Sequence, residues 1–192
     1  LLFAKALKTT KMLCQCFLIK FGNTLNITCF IKSKLIIVKM IDYSYLNSIS
    51  NAEDLRLYIL EHTLDIEETT SKTLGYILKI DWEQSKSFGY SSVSLSFNQK
   101  IHIIQDLKGL DSNDKQKLAD LMTIRNKFVH VKSIKTFQDL FNIGAAGQDV
   151  KKHLVKWYGS KDNIIDEELR YKIYFFWLYL DVKSILNSLG VN

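Results

Sequence analysis

No proline occurs anywhere in this 192-residue chain, and only eight residues are glycine. Proline and glycine are the strongest interrupters of regular backbone, so long helices meet few stop signals here and the turn punctuation of β-rich folds is missing. That absence directs the chain to an all-α class. Hydrophobic residues make up 47% of the sequence, enough to build the core of one ordinary domain.

The formal net charge of +6 invites a nucleic-acid reading, but the charge is unevenly placed. Residues 1–39 contain Lys5, Lys8, Lys11, Lys20, Lys32, Lys34 and Lys39 and no acid, which leaves nineteen cations against all twenty acids over residues 40–192. The body is therefore near neutral. Cys14, Cys16 and Cys29 also fall in the first 39 residues, so the body has no thiol for a disulfide or a thiolate metal site.

Residues 1–39 begin with Leu, carry no sustained helical or strand period, and precede Met40, where a normal-looking pattern opens. They read as translated AT-rich upstream sequence or a disordered tail, with Met40 as the start of a single helical domain spanning 40–192. Lysine outnumbers arginine 23 to three, in keeping with an AT-rich coding background. A secretion or membrane signal fits poorly. The apolar runs around Phe17 and Ile36 fall far short of the ~20 residues that span a bilayer, and Lys20, Lys32 and Lys34 interrupt them. The expectation is a cytoplasmic protein without a membrane partner.

Within the body, the spacing predicts a compact bundle of about five main helices. Asn51 or Ser50 caps a helix from about Ala52 to Ile80, with Glu53 and Asp54 at the positive end of its dipole. It carries two apolar stripes: Leu57, Leu60, Leu64, Leu74 and Leu78, interrupted by Glu67 and Ser71, and Leu55, Ile59, His62 and Ile66. A helix apolar on two sides is expected between neighbours. After a loop at Gln84–Ser94, a second helix spans Leu95–Leu107 and ends at Gly109. A third, capped by Asp111 or Ser112, runs to about His130 with Leu118, Leu121, Met122, Phe128 and Val129 inward. Two short helices divide at Gly144–Gly147, and a final aromatic-rich helix covers about Asp162–Ser188.

The chemistry-bearing run is Arg125-Asn126-x-x-x-His130. Arg125 follows Leu121 by four and precedes Phe128 by three, so a helix turns it towards the apolar side, where a guanidinium needs an acid, an anion or a subunit boundary. Glu67, which breaks a leucine stripe in the same way, is the candidate acid, with Glu68 as the neighbouring choice. Asn126 and His130 share a face at i and i+4, whereas Arg125 and His130 stand about 140° apart on an ideal helix.

Ile124 to His130 resembles the R-N-x-x-x-H signature of the HEPN superfamily, and the flanking stretches Leu118–Met122 and Thr136–Leu140 resemble bacterial proteins similar to the mannitol operon repressor. The resemblance implies a helical bundle, commonly homodimeric, that works either as a ribonuclease in defence or toxin–antitoxin regulation or as a non-catalytic regulator acting through protein contacts. The tyrosine two positions after the histidine in some toxin members is Lys132 here. For a catalytic member it implies metal-independent RNA cleavage, with His130 exchanging protons, Arg125 meeting the phosphate and Asn126 orienting either group. Lys127, Lys132 and Lys135 would then supply a local basic groove, which the near-neutral body otherwise lacks.

The same residues also admit a plain reading, in which Arg125 pairs with an acid, Asn126 and His130 satisfy helix-end groups, and the lysines form a solvated face. His62 reads as a hydrogen-bonded core or interface residue instead of a ligand, and His102 and His153 as exposed. No H-E-x-x-H, glycine-rich phosphate loop or nucleophile elbow is present, so metal and nucleotide chemistry are disfavoured and no cofactor is expected.

Overall fold

The computed structural model describes Leu46, Ser48, Ile49 and residues 51–91, 93–159 and 166–190. These lie within one unit, Tyr43–Asn192. The readings made of residues 1–39 and of a start at Met40 lie outside the described residues. Among the described residues there are six main helices and no strand: α1 (Ala52–Leu78), α2 (Phe97–Lys108), α3 (Ser112–His130), α4 (Phe137–Asn142), α5 (Gly144–Tyr158) and α6 (Glu167–Gly190). The all-α bundle expected from the sequence is the fold observed.

Each helix begins where its local chemistry allows. Asn51 Oδ1 accepts from the amides of Glu53 and Asp54, both at 2.9 Å, satisfying two of the amides that open α1. Ser96 and Gln99 form a capping box, so α2 starts at Phe97 and leaves Leu95 in the loop. Asp111 caps α3, and Thr136 with Asp139 boxes α4. At the far end of α1, Lys79 takes the left-handed conformation at φ 55° and the chain folds back over Gly75. A Cβ at Gly75 would stand 2.8 Å from both Ile80 O and Trp82 Cβ, so the close approach requires glycine there.

Side-chain contacts set the helix directions. Tyr58 meets Lys172, Asp65 meets Tyr179 and Lys183, and Thr73 meets Leu186, so α1 and α6 run side by side in the same sense. His153 meets Asp120 and Trp157 meets Asn113, so α5 runs against α3. Lys117 near the start of α3 reaches Asp181, while Glu168 at the start of α6 accepts from the Phe137 amide just beyond α3, so α3 also opposes α6.

The core centres on Phe128, Phe137 and Phe175, each fully buried, with Phe141 and Tyr171 against them. The aromatic face of α6 thus packs into the bundle. On α1 the second stripe, with Leu55, Tyr58, Ile59 and Ile66, is the buried one, whereas Leu57 and Leu64 remain 55% and 51% exposed. Leu74 of the other stripe is fully buried and Leu60 half-buried, so α1 lies between neighbours as expected, packed by α6, α3 and α2, and that stripe stays exposed at Leu57, Leu64 and Leu78. The distal half of α1 buries Thr63, Thr69, Thr70, Ser71 and Thr73 instead of leucines. Each hydroxyl donates to the carbonyl four residues back, which removes the cost of burying it.

Candidate functional site

The run Arg125–His130 forms the last turn and a half of α3. Leu121, Ile124 and Phe128 are buried, which places Asn126 on the opposite side of the helix and Arg125 at its flank. Ile124 takes the inward place expected for Val129, which is 42% exposed, and Met122 is only half-buried. Arg125 and Asn126 are half-buried and His130 is exposed. Arg125 Nη1 donates to Asn126 Oδ1 at 3.0 Å. No hydrogen bond joins His130 to either residue among the described residues.

Arg125 forms no ion pair among the described residues, so the expected Glu67 or Glu68 partnership is not found. Glu68 pairs with Lys72 one turn on, at 2.5 Å. Glu67 acts on the buried ammonium of Lys100, whose Nζ donates to Ser71 Oγ at 2.9 Å and Phe88 O at 3.2 Å. The reason is axial register. Arg56 lies level with Val131–Ile134, so at 1.5 Å per residue Arg125 sits about 9 Å along the antiparallel pair from that end and Glu67 about 16 Å.

Arg56 holds the segment that follows the motif. Its Nη2 lies 3.3, 2.8 and 3.0 Å from the carbonyl oxygens of Val131, Lys132 and Ile134, gathering the chain as it leaves the negative end of α3. Its Nε is buried and has no hydrogen-bond partner. Beside it is an open hollow of about 490 Å³ lined by Asn51, Ala52, Glu53, Arg56, Lys132 and Lys135. The structure therefore gathers two of the three expected lysines around Arg56 and leaves Lys127, which sits on α3, out of the hollow's lining.

A second constellation escaped the sequence reading. Asp120 is 3% exposed. One of its carboxylate oxygens lies 2.8 Å from His153 Nδ1, and the other accepts from Gln116 Nε2 at 2.9 Å. Burial raises the Asp120 carboxyl above its ordinary range, while the Gln116 and His153 hydrogen bonds pull it back. His153 is stacked on Trp157, whose Nε1 donates to Asn113 Oδ1 at 2.9 Å, so it is not the exposed histidine expected. Next to it Lys117 Nζ and the Tyr158 hydroxyl both meet Asp181 Oδ2, at 2.7 and 2.8 Å. The available signal was an acid at Asp120 between buried Leu118 and Leu121, but its partner lies 33 residues away on another helix.

His62 behaves as read: its Nδ1 bonds Tyr58 O at 2.8 Å within a ring of Tyr58, Phe175, Phe176 and Tyr179. His102 is exposed, also as read. Among the described residues no group of three metal-ligating side chains occurs, and no helix is long and apolar enough to cross a membrane. Comparison with family models, curated proteins and solved structures yields no match.

Proposed function

We propose that this chain is a HEPN-like helical protein in which Arg125, Asn126 and His130 cleave RNA without a metal, two copies pairing as a homodimer. The observation that carries the reading is the state of Arg125. It is a half-buried guanidinium that donates to Asn126 and is matched by no carboxylate among the described residues, five residues before an exposed imidazole that shares the face of Asn126. A planar cation left without an acid suits a phosphate oxyanion.

In the reaction the ribose 2′-hydroxyl attacks the adjacent phosphorus while the bond to the 5′-oxygen breaks, leaving a 2′,3′-cyclic phosphate and a 5′-hydroxyl. His130 moves a proton off the nucleophile or onto the leaving oxygen, and Arg125 stabilises the charge that gathers on the phosphate. Asn126 fixes the guanidinium. Action in defence or in toxin–antitoxin regulation belongs to the same resemblance.

The second reading is a non-catalytic regulator similar to the mannitol operon repressor. The exposed side chains Leu57, Leu64 and Val129 favour it, since they offer apolar surface for a protein contact on the helices that carry the motif and Arg56. Incubating total RNA with the full chain in EDTA separates the two. Cleavage to cyclic-phosphate ends, reduced about 10²-fold or more in His130→Ala and in Arg125→Ala while both stay folded, supports the nuclease. Intact RNA with a folded wild-type protein moves the assignment to the regulator.

A further inference from the structure

We propose that the hollow lined by Arg56, Lys132 and Lys135 holds a backbone phosphate of single-stranded RNA, the one adjacent to the phosphate cleaved at Arg125 and His130. The inference rests on the RNA-cleavage reading and adds to it where the strand runs and which residue organises its path.

Three cations, Arg56, Lys132 and Lys135, converge on this concavity against one acid, Glu53. Lys132 and Lys135 are exposed and form no ion pair among the described residues, and Asp139, whose carboxylate accepts from the Lys135 amide at 2.9 Å, offsets part of the Lys135 charge. Arg56 is different in kind. It is tethered to three carbonyls of the Val131–Ile134 segment and therefore fixes the backbone that presents both lysines. Its Nε is buried, so what Arg56 gives the hollow is its charge and a fixed backbone. The start of α1 contributes little, because Asn51 Oδ1 already occupies the amides of Glu53 and Asp54.

Lys132 follows His130 by two residues, so their Cα atoms are at most about 7 Å apart. That span is comparable with the step between successive phosphates of an extended strand. His130 is not part of the hollow's lining, so a strand held there reaches it by running along the chain from Lys132 towards the end of α3. A single strand is required, because in-line attack by a 2′-hydroxyl needs a backbone released from A-form pairing.

The test uses a fluorescent 2′-O-methyl oligonucleotide, which lacks the nucleophile and binds without being cut, and follows anisotropy against salt with the full chain. Lys132→Gln/Lys135→Gln should lower affinity about tenfold or more and flatten the slope of log K against log salt by about 1, as expected when one to two phosphate contacts are lost. Lys108→Gln/Lys115→Gln, an equal charge change at exposed lysines outside the hollow's lining, should leave both nearly unchanged. Arg56→Lys should bind more weakly with the motif residues intact. Equal losses in the two double variants, or no binding by wild type, overturn the hollow. Binding that depends on Lys132 and Lys135 without cleavage of ordinary RNA supports the hollow and rejects the nuclease.

Discussion

At the scale of single residues, the structure separates polar groups that the fold has satisfied from those it has left available. His62 belongs to the first kind. Burial among aromatic rings lowers its imidazole below the ordinary value of 6.5, with the Tyr58 carbonyl and Asp65 opposing that shift. Since its folded-state value lies below its unfolded value, the unfolded chain binds more protons in between. The stability contribution is therefore fully present above about pH 6.5 and is lost as pH falls through the folded-state value. Thermal unfolding of wild type should drop between pH 7 and 5 more steeply than that of His62→Phe, and superimposable profiles would assign the acid sensitivity to other groups. Asp120 makes a complementary case. Asp120→Ala removes the acceptor shared by His153 and Gln116 and should cost about 1–3 kcal/mol in urea unfolding. A double-mutant cycle with His153→Ala should then show coupling, and strict additivity would deny the pair any energetic weight.

At the scale of elements, helix starts were legible and packing faces less so. Asn51 and Asp111 cap where expected because a cap is a short-range device, readable within four residues. The glycines point to a break at Gly144–Gly147, and the structure sets it between α4 and α5 at Ile143–Gly144, with Gly144 at φ 68°. Gly147 lies inside α5 for a different reason: a Cβ there would meet Leu140 O at 2.1 Å. Gly147→Ala should thus destabilise the protein even though alanine favours helix by ~1 kcal/mol, an opposition of local propensity and packing that urea unfolding can decide. Equal or greater stability in that variant would mean that α4 yields to the added methyl.

At the scale of the whole molecule, α6 decides what remains exposed. By packing along the Tyr58, Asp65 and Thr73 side of α1, it leaves Leu57 and Leu64 uncovered, two turns apart on one face. On the homodimer reading, that face is where a second copy is expected. Leu57→Ser with Leu64→Ser should convert a dimer into folded monomers in sedimentation equilibrium. A dimer that survives the change would have to use another surface.

By itself the sequence determined the helical class, the approximate extent of each helix and the hydrogen-bonded role of His62, because these depend on spacing, caps and missing breakers within a few residues. It did not contain the partners. Arg56 reaches carbonyls 75 to 78 residues away, Asp120 bonds a histidine 33 residues on, and the buried Lys100 ammonium finds Ser71 and the Phe88 carbonyl on other segments. Only the tertiary structure decided these, since helix direction and axial register set which charges meet, and neither is encoded in the period of a single helix.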